Sequence, residues 1–410
     1  MNWKKKSGRN WRQLGMKYRL SDIMTIIGGG TPKTSVKEYW GGSIPWLSVK
    51  DFNNELRYVY DSEKKITKAG FQNSSTKMLQ KDDTIISARG TVGEIAMIPF
   101  PMAFNQSCYG LRAKDGIVTP AFLFYLVKFK VNVLRKNTHG SVFDTITRDT
   151  FDGIEVELPS LSTQNKIASL LGNLDDQIEL NTKINKNLQA QAQALYKSWF
   201  TDYEPFDGVR PIAWVNGTVD DLAKEIVCGK TPSTKVKEYY GSDVPFITIP
   251  DMHEKTYAVT TERYLSNYGA ASQAKKTLPP NSICVSCIGT AGVVTLVASE
   301  SQTNQQINSI IPKDGYSPFY IYLLMQTLSK VINKLGQSGS TIVNLNKTQF
   351  GKIKVIIPSV QDMKAFDEIV TPLFALILKN QKENIRLSSL RDALLPQLMS
   401  GEIDISNITL

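Results

Sequence analysis

The amino-acid sequence predicts a duplicated α+β protein. Two similar globular domains are separated by two long helices that pair as an antiparallel coiled coil, giving a pseudo-two-fold internal repeat. Three observations carry this reading. TPKTSVKEYWGGSIP (31–45) recurs as TPSTKVKEYYGSDVP (231–245), identical at 9 of 15 positions. Further landmarks recur at an offset of 198 to 200 residues, and a repeat of that length means a duplicated domain rather than a solenoid. Each copy then ends in a helical stretch with the same heptad seam. The predicted boundaries are 1–158 and 206–357 for the globular domains, and 159–205 and 358–410 for the helical spacers.

Length and composition agree with this division. A chain of 410 residues, 41% hydrophobic and 9% aromatic, suffices for two or three domains with buried cores. The net charge of +10 favours an acidic partner, nucleic acid first and an anionic membrane second. No apolar run approaches a membrane span, and the basic N-terminus is not followed by an apolar signal core. With only four cysteines, this points to the cytoplasm. Cys284 and Cys287 have metal-knuckle spacing, but there is no second pair, and His139 and His253 are the only histidines. Because 282–288 is an apolar run that reads as a buried strand, core thiols are favoured over zinc or redox chemistry.

In chain order, the first 19 residues carry seven Lys or Arg and no acid, with Trp3 and Trp11 interleaved. They read as a basic arm on phosphates or as a solvated leader. The strand signals of each domain are short, rich in Val, Ile, Tyr and Phe, and punctuated by Gly, Pro and Asn. Trp46-Leu47-Ser48-Val49 matches Phe246-Ile247-Thr248-Ile249, with Asp51 matching Asp251. SARGTVG (87–93) matches SCIGTAG (286–292), and Asn105-Gln106 matches Asn304-Gln305. Gly140-Ser141 matches Gly339-Ser340, and FDGIEVELPS (151–160) matches FGKIKVIIPS (350–359). Helices are expected over 120–135 and 318–335, opened by Pro120 and Pro318. Residues 202–211 read as the linker into the second copy.

The spacer 161–200 reads as a short helix, a break at Gly172-Asn173 and a long helix from Leu174. Leu174, Ile178, Asn181, Asn185, Leu188, Ala192, Leu195 and Trp199 step by four and three. Adding 199 gives Leu373, Ile377, Asn380, Asn384, Leu387, Arg391, Leu394 and Leu398, with the break at Thr371-Pro372. A seam this narrow needs a partner helix. A buried Asn costs stability but fixes register, so Asn181, Asn185, Asn380 and Asn384 are expected to align the pair. About 28 residues at 1.5 Å each would make a rod of about 42 Å.

Enzyme signatures are missing. Gly229-Lys230-Thr231 lacks the upstream glycine of a phosphate loop. There is no HExxH and no NPPY-like tetrapeptide. Asp61 with Glu63-Lys64-Lys65 loosely resembles a nuclease set, but the acids stand too close and the second copy has no match. What remains is binding chemistry. In the Gly29-Gly30-Thr31-Pro32 and Gly229-Lys230-Thr231-Pro232 turns, the amides, the Thr hydroxyls and Lys33, Lys37, Lys230, Lys235 and Lys237 suit phosphates; a purely structural turn is the alternative. Arg89, beside Thr91 in the first Gly-Thr-x-Gly loop, suits a guanine edge or a phosphate. Ile288 replaces it beside Thr290 in the second copy. Asn105-Gln106 and Asn304-Gln305 suit adenine, or the domain's own backbone.

This order of motifs, twice over, resembles the specificity (S) subunit of type I restriction-modification systems. The resemblance covers nearly the whole chain. It rests on the Gly-x-Thr-Pro starts, the Gly-Thr-x-Gly loops, the Asn-Gln pairs, and the Leu158-Pro159-Ser160-Leu161 and Ile357-Pro358-Ser359-Val360 junctions with Gln164 and Gln361. The Leu-Met-Ser-Gly-Glu-Ile end (398–403) completes it. Arg391 at a seam position departs from the pattern and reads as an exposed end of the pair. The resemblance implies two target recognition domains, each reading half of a bipartite, asymmetric site in double-stranded DNA. It implies helical spacers that hold them inverted and dock two methyltransferase subunits, with endonuclease subunits joining. S-adenosylmethionine, ATP and Mg²⁺ would belong to those partners, and the chain itself would catalyse nothing. Two-fold readers contact half-sites about 34–36 Å apart, close to the rod length. The alternative is a stand-alone duplicated DNA-binding regulator.

Overall fold

The structure, a computed structural model, describes residues 16–54, 56–136, 145–336 and 344–405. Residues 1–15 of the basic arm, His139 and the Gly140-Ser141 and Gly339-Ser340 pairs lie outside the described residues. The chain forms two units: Met1–Glu179 with Arg386–Leu410, and Leu180–Ile385. Each long helix thus gives its first part to one unit and the rest to the other. Among the described residues no helix is long and apolar enough to cross a membrane.

The first unit contains two four-stranded sheets. One is antiparallel throughout, in the order Met24–Gly28, Cys108–Ala113, Thr84–Ser87, Ile95–Met97. The other runs Lys64–Ile66, Trp40–Leu47, Met102–Phe104, Met78–Leu79, with a parallel pairing at its centre. The second unit repeats the arrangement. Its larger sheet runs Ala223–Cys228, Ile307–Pro312, Ile283–Ser286, Val294–Val297, Tyr257–Ala258, and its smaller one Arg263–Leu265, Tyr240–Ile247, Gln302–Thr303. The central strands are buried on both faces, as Ile283–Ser286 shows by being buried at every position. In each unit a two-stranded ribbon leads towards a long helix: Met16–Arg19 with Glu155–Leu158, and Val215–Thr218 with Lys354–Ile357.

Pro120–Lys136 and Pro318–Thr327 pack across these sheets. Residues 122–127 and 319–325 are buried without a gap, as expected of a helix apolar all round. The Ser317 hydroxyl accepts from the Tyr320 N–H at 2.9 Å and caps the second. The helix expected over 318–335 is in fact two, Pro318–Thr327 and Ser329–Gly336, meeting at Leu328.

The long helices, Leu161–Phe200 and Val360–Met399, correct the sequence reading in three ways. First, neither is broken. At Gly172 the missing side chain leaves room for Arg57: a Cβ there would stand 2.5 Å from its Nη1. Pro372 cannot bond Glu368, but both residues are exposed, so water can serve that carbonyl. Second, the narrow seam holds only near the middle. Leu174, Ile178, Leu195 and Trp199 are half-buried, while Asp175, Glu179, Tyr196 and Phe200 are buried, because each helix end turns its face into its own unit. Third, Arg391 is not an exposed end. It is buried and its Nη1 donates to Asp175 at 2.7 Å. In the second unit the helices run antiparallel, with Asn181 Nδ2 donating to Asn384 Oδ1 at 3.0 Å and Asn380 Nδ2 to Asn185 Oδ1 at 2.9 Å.

Candidate nucleic-acid interface

The motifs that recur in sequence meet in space, in the same way in each unit. In the first, the strand Met24–Gly28 ends at Gly29, which lies against the turn at Asn105. A Cβ on Gly29 would stand 2.0 Å from the Asn105 carbonyl oxygen, so only glycine permits this approach. The Gly30 N–H donates to the Phe104 carbonyl (3.0 Å), and the Trp46 indole N–H donates to the Gly30 carbonyl (2.9 Å). In the second unit a Cβ on Gly229 would stand 2.1 Å from the Asn304 carbonyl oxygen, and the Lys230 N–H donates to Thr303 at 2.9 Å.

This approach pairs the two turns through their side chains. The Thr31 hydroxyl donates to Gln106 Oε1, and the Thr231 hydroxyl to Gln305 Oε1 at 2.7 Å. Gln106 and Gln305 are exposed; Thr31 and Thr231 are half-buried. The asparagines are turned inward by their own turns. Asn105 Oδ1 accepts from the Ser107 N–H, and Asn304 Oδ1 from the Gln306 N–H, both at 3.1 Å. Asn304 Nδ2 also donates to Gln306 Oε1 at 3.0 Å. Each Asn-Gln turn therefore presents its glutamine, while its asparagine shapes the backbone.

The Gly-Thr-x-Gly loops sit beside these turns. The Ala88 N–H donates to the Ser107 carbonyl and the Cys287 N–H to the Gln306 carbonyl, both at 2.8 Å. The next residue is Arg89 in the first unit, exposed, and Ile288 in the second, half-buried. The loops need their glycines: φ is +76° at Gly90, +89° at Gly93, +75° at Gly289 and +89° at Gly292. Sequence reasoning missed the residues that close them. The Ser87 hydroxyl donates to the Thr91 carbonyl at 2.5 Å and accepts from the Glu94 N–H at 2.8 Å. Ser286 does the same with Thr290 (2.6 Å) and Val293 (2.8 Å). The signal was a serine at the same place in both copies. Thr91 and Thr290 thus lend carbonyls to the loop, and both residues are exposed.

The lysines frame the Gly-x-Thr-Pro turns. Lys33, Lys230 and Lys235 lie on the turns, and Lys37 and Lys237 open the short helices Lys37–Tyr39 and Lys237–Tyr239; all five are exposed. Asp51 and Asp251, matched in sequence but given no role, brace the neighbouring strands. Asp51 accepts from the Ser48 and Glu63 N–H groups, both at 2.7 Å, and Asp251 from those of Thr248 (2.9 Å) and Glu262 (2.8 Å).

The nuclease-like residues do not form a site. Asp61 is exposed and pairs with Lys65 at 3.2 Å. The Ser62 backbone N–H, then Lys65, holds its carboxyl below the usual carboxylate range. Cys284 and Cys287 are buried, and among the described residues no group of three or more His, Cys, Asp or Glu is placed to hold a metal ion.

A family model described as the type I restriction modification DNA specificity domain matches residues 15–190 and again 211–387. The HindI specificity subunit of Haemophilus influenzae is 36% identical, over 72% of this chain and 79% of that protein. The MjaIX specificity subunit of Methanocaldococcus jannaschii is 28% identical, over 95% of this chain and 94% of its own. Among solved structures, the S subunit of a type I restriction-modification system from M. genitalium superposes with a TM-score of 0.61 at 16% identity, covering 96% and 97% of the two chains. At that identity the likeness concerns the fold alone.

Proposed function

The chain belongs to the type I restriction modification DNA specificity family, and from that premise we propose that its two units read the halves of a split, asymmetric DNA site. Its function is that of a specificity subunit: two target domains recognise DNA sequence within a restriction-modification complex. The observation that carries the finer reading is the motif surface repeated in each unit. Its framework and its exposed glutamines are the same in both copies, and the loop beside them differs, with Arg89 in the first unit against Ile288 in the second. Shared backbone turns with divergent side chains suit two readers of one design and different sequence preference.

The lysines at the Gly-x-Thr-Pro turns supply salt-dependent phosphate contacts, and Gln106, Gln305 and Arg89 supply base-edge contacts. The long helices set the gap between the half-sites. Specificity subunits of this family assemble with methyltransferase and endonuclease subunits. In this reading two methyltransferase subunits dock on the chain. S-adenosylmethionine, ATP and Mg²⁺ serve those partners, this chain is non-catalytic, and the complex works in the cytoplasm.

The test is adenine-methylation sequencing of DNA from cells carrying the methyltransferase with and without this chain. A two-part motif with a fixed gap, present only with this chain, is expected. Exchanging 206–357 for another recognition domain should rewrite one half only. Methylation independent of the chain, with the proteins folded and associated, would overturn the reading, and rewriting of both halves would overturn the independent readers.

A further inference from the structure

The second long helix buries a guanidinium where its repeat mate buries a methyl group. Arg391 Nη1 donates to Asp175 Oδ1 at 2.7 Å and its Nε to Asp392 Oδ1 at 2.8 Å. The Tyr125 hydroxyl donates to Asp175 Oδ2 at 2.5 Å. The Arg391 and Asp175 side chains are only 4% and 3% exposed. The positions 199 residues away are Ala192 and Phe374, both in the apolar core of the second unit. There Phe374 stacks on Phe319, ring centroids 4.3 Å apart.

The asparagine pairs show how these layers correspond. Asp175 stands six residues before Asn181 and Arg391 seven after Asn384. Phe374 stands six before Asn380 and Ala192 seven after Asn185. The two layers are therefore equivalent, flanking the Asn181–Asn384 and Asn185–Asn380 contacts at equal steps along the helices.

Two copies of this chain have another way to use the same seams: each long helix can pair antiparallel with its own counterpart in the other copy. The asparagines do not oppose this, since Asn181 would face Asn185 of the second copy, and Asn380 would face Asn384. The apolar seam residues next to the asparagines do not oppose it either, since Leu188 and Leu387 or Ile178 and Ile377 are the same in both helices. The flanking layer does oppose it. Asp175 would face Ala192 and Arg391 would face Phe374, leaving both charges buried without each other. Separating the partners of a buried ion pair is strongly destabilising.

We propose that Asp175 and Arg391 form a pairing lock, which selects contact between the first and second long helices over contact between like helices of two copies. Asn181, Asn185, Asn380 and Asn384 set the register, and Asp175 with Arg391 sets the identity of the partner. This is the registry role best attested for buried polar groups, divided between two kinds of layer. The lock keeps the two differing recognition units within one chain. That consequence rests on the proposed function; the lock itself does not.

The test uses full-length chains and reads oligomeric state, not DNA. Asp175→Arg places two guanidinium groups face to face within one chain, and Arg391→Asp places two carboxylates. Mixed by co-expression, the two variants restore both ion pairs by exchanging helices. Differently tagged, they should form a heterodimer at least about tenfold enriched over the dimer of either variant alone. The double variant Asp175→Arg/Arg391→Asp should return to monomer, which also establishes that the site tolerates the exchange. If the single variants are unfolded alone but soluble and dimeric together, the lock is supported. If the mixture gains nothing over the separate variants while the double variant folds, the lock is overturned. It is equally overturned if the single variants stay monomeric and as stable as the parent chain.

Discussion

The approach of Gly29 to the Asn105 turn makes a prediction whose size follows from the geometry. In Gly29→Ala the new Cβ would stand 2.0 Å from the Asn105 carbonyl oxygen and 2.6 Å from Phe104 Cδ2. A carbonyl oxygen cannot flex away as a side-chain tip can, so the turn and the strand end must separate by about 1 Å. Overpacking of this kind costs about 1–3 kcal/mol, offset by about 0.4–1 kcal/mol from the stiffer unfolded chain. A net loss of roughly 1–2 kcal/mol is expected. Gly28→Ala is the control, because nothing lies within 4 Å of its added Cβ. Urea unfolding compares the two variants, and hydrogen exchange across 24–30 and 102–113 locates the loss. The displaced turn also separates Gln106 from Thr31, so methylation should become tolerant of base changes in one half-site. Gly229→Ala, with its Cβ 2.1 Å from the Asn304 carbonyl oxygen, should loosen the other half. If Gly29→Ala is as stable as Gly28→Ala, the close packing of the two turns is refuted. If either variant relaxes both halves equally, the turns do not read separately.

The remaining predictions concern the seam, the thiols and one carboxyl. Asn380→Leu strips Asn185 Oδ1 of its donor and should cost about 1–3 kcal/mol, most of it recovered in Asn185→Leu/Asn380→Leu; urea midpoints that add instead would deny that the two amides satisfy each other. Burial pushes the Cys108 and Cys284 thiols up to about 12 and Cys287 up to about 11. Cys228 alone is partly exposed, so a thiol reagent at pH 8 should titrate one group quickly, and a second fast thiol would contradict the burial. Burial also raises the Asp367 carboxyl above the usual carboxylate range, against the opposing hydrogen bond from Ser317. The folded state then holds the proton more tightly than the unfolded chain. That stability is complete below the unfolded value and is lost as pH rises through the folded one. Asp367→Asn, which keeps an acceptor for Ser317, should flatten the fall in stability above about pH 4; an unchanged slope would mean that the carboxyl is not desolvated.

The duplication and the identity of the site motifs were legible in the sequence, because both are local. Gly-x-Thr-Pro, Asn-Gln and Gly-Thr-x-Gly each form one turn, and a turn recurs as a contiguous string. Their convergence was not legible, because it depends on strand order. The turn at 105 reaches Gly29 only because Met102–Phe104 and Trp40–Leu47 run parallel, so that Asn105 N–H bonds the Leu47 carbonyl at 2.9 Å. The inward turning of Asn105 and Asn304 is local, each Oδ1 accepting from the N–H two residues on, yet the dipeptide alone gave no sign of it. An Asn-Gln pair looks like two amides offered to a ligand until the turn takes one of them.

The long helices show how local signals fail when tertiary contacts outweigh them. Gly172 and Pro372 are helix breakers by propensity, at about 1 and 3 kcal/mol. Yet Ile167, Leu171, Phe366, Val370 and Phe374 around them are all fully or nearly fully buried, and burial of one such side chain contributes about 1.5–3 kcal/mol. Interrupting either helix would forfeit several of these, so the helix continues and the breaker is tolerated. Arg391 was misread for a related reason. A strict heptad count puts Leu174 on the seam and Asp175 beside it, so the arginine found no partner in the pattern. An α-helix of 3.6 residues per turn drifts against a 3.5-residue repeat by about 20° per heptad. Counting back from Asn181, that drift leads to 174 or 173 and not to 175, so it is the first unit's core, which takes in Ile167, Ala168 and Leu171, that carries Asp175 inward and Leu174 outward. The complementary charge lies 216 residues from Arg391, one position away from where periodicity looks for it. A charged residue in an otherwise apolar seam therefore calls for a search one step to either side on the partner helix before it is taken for the end of the pair.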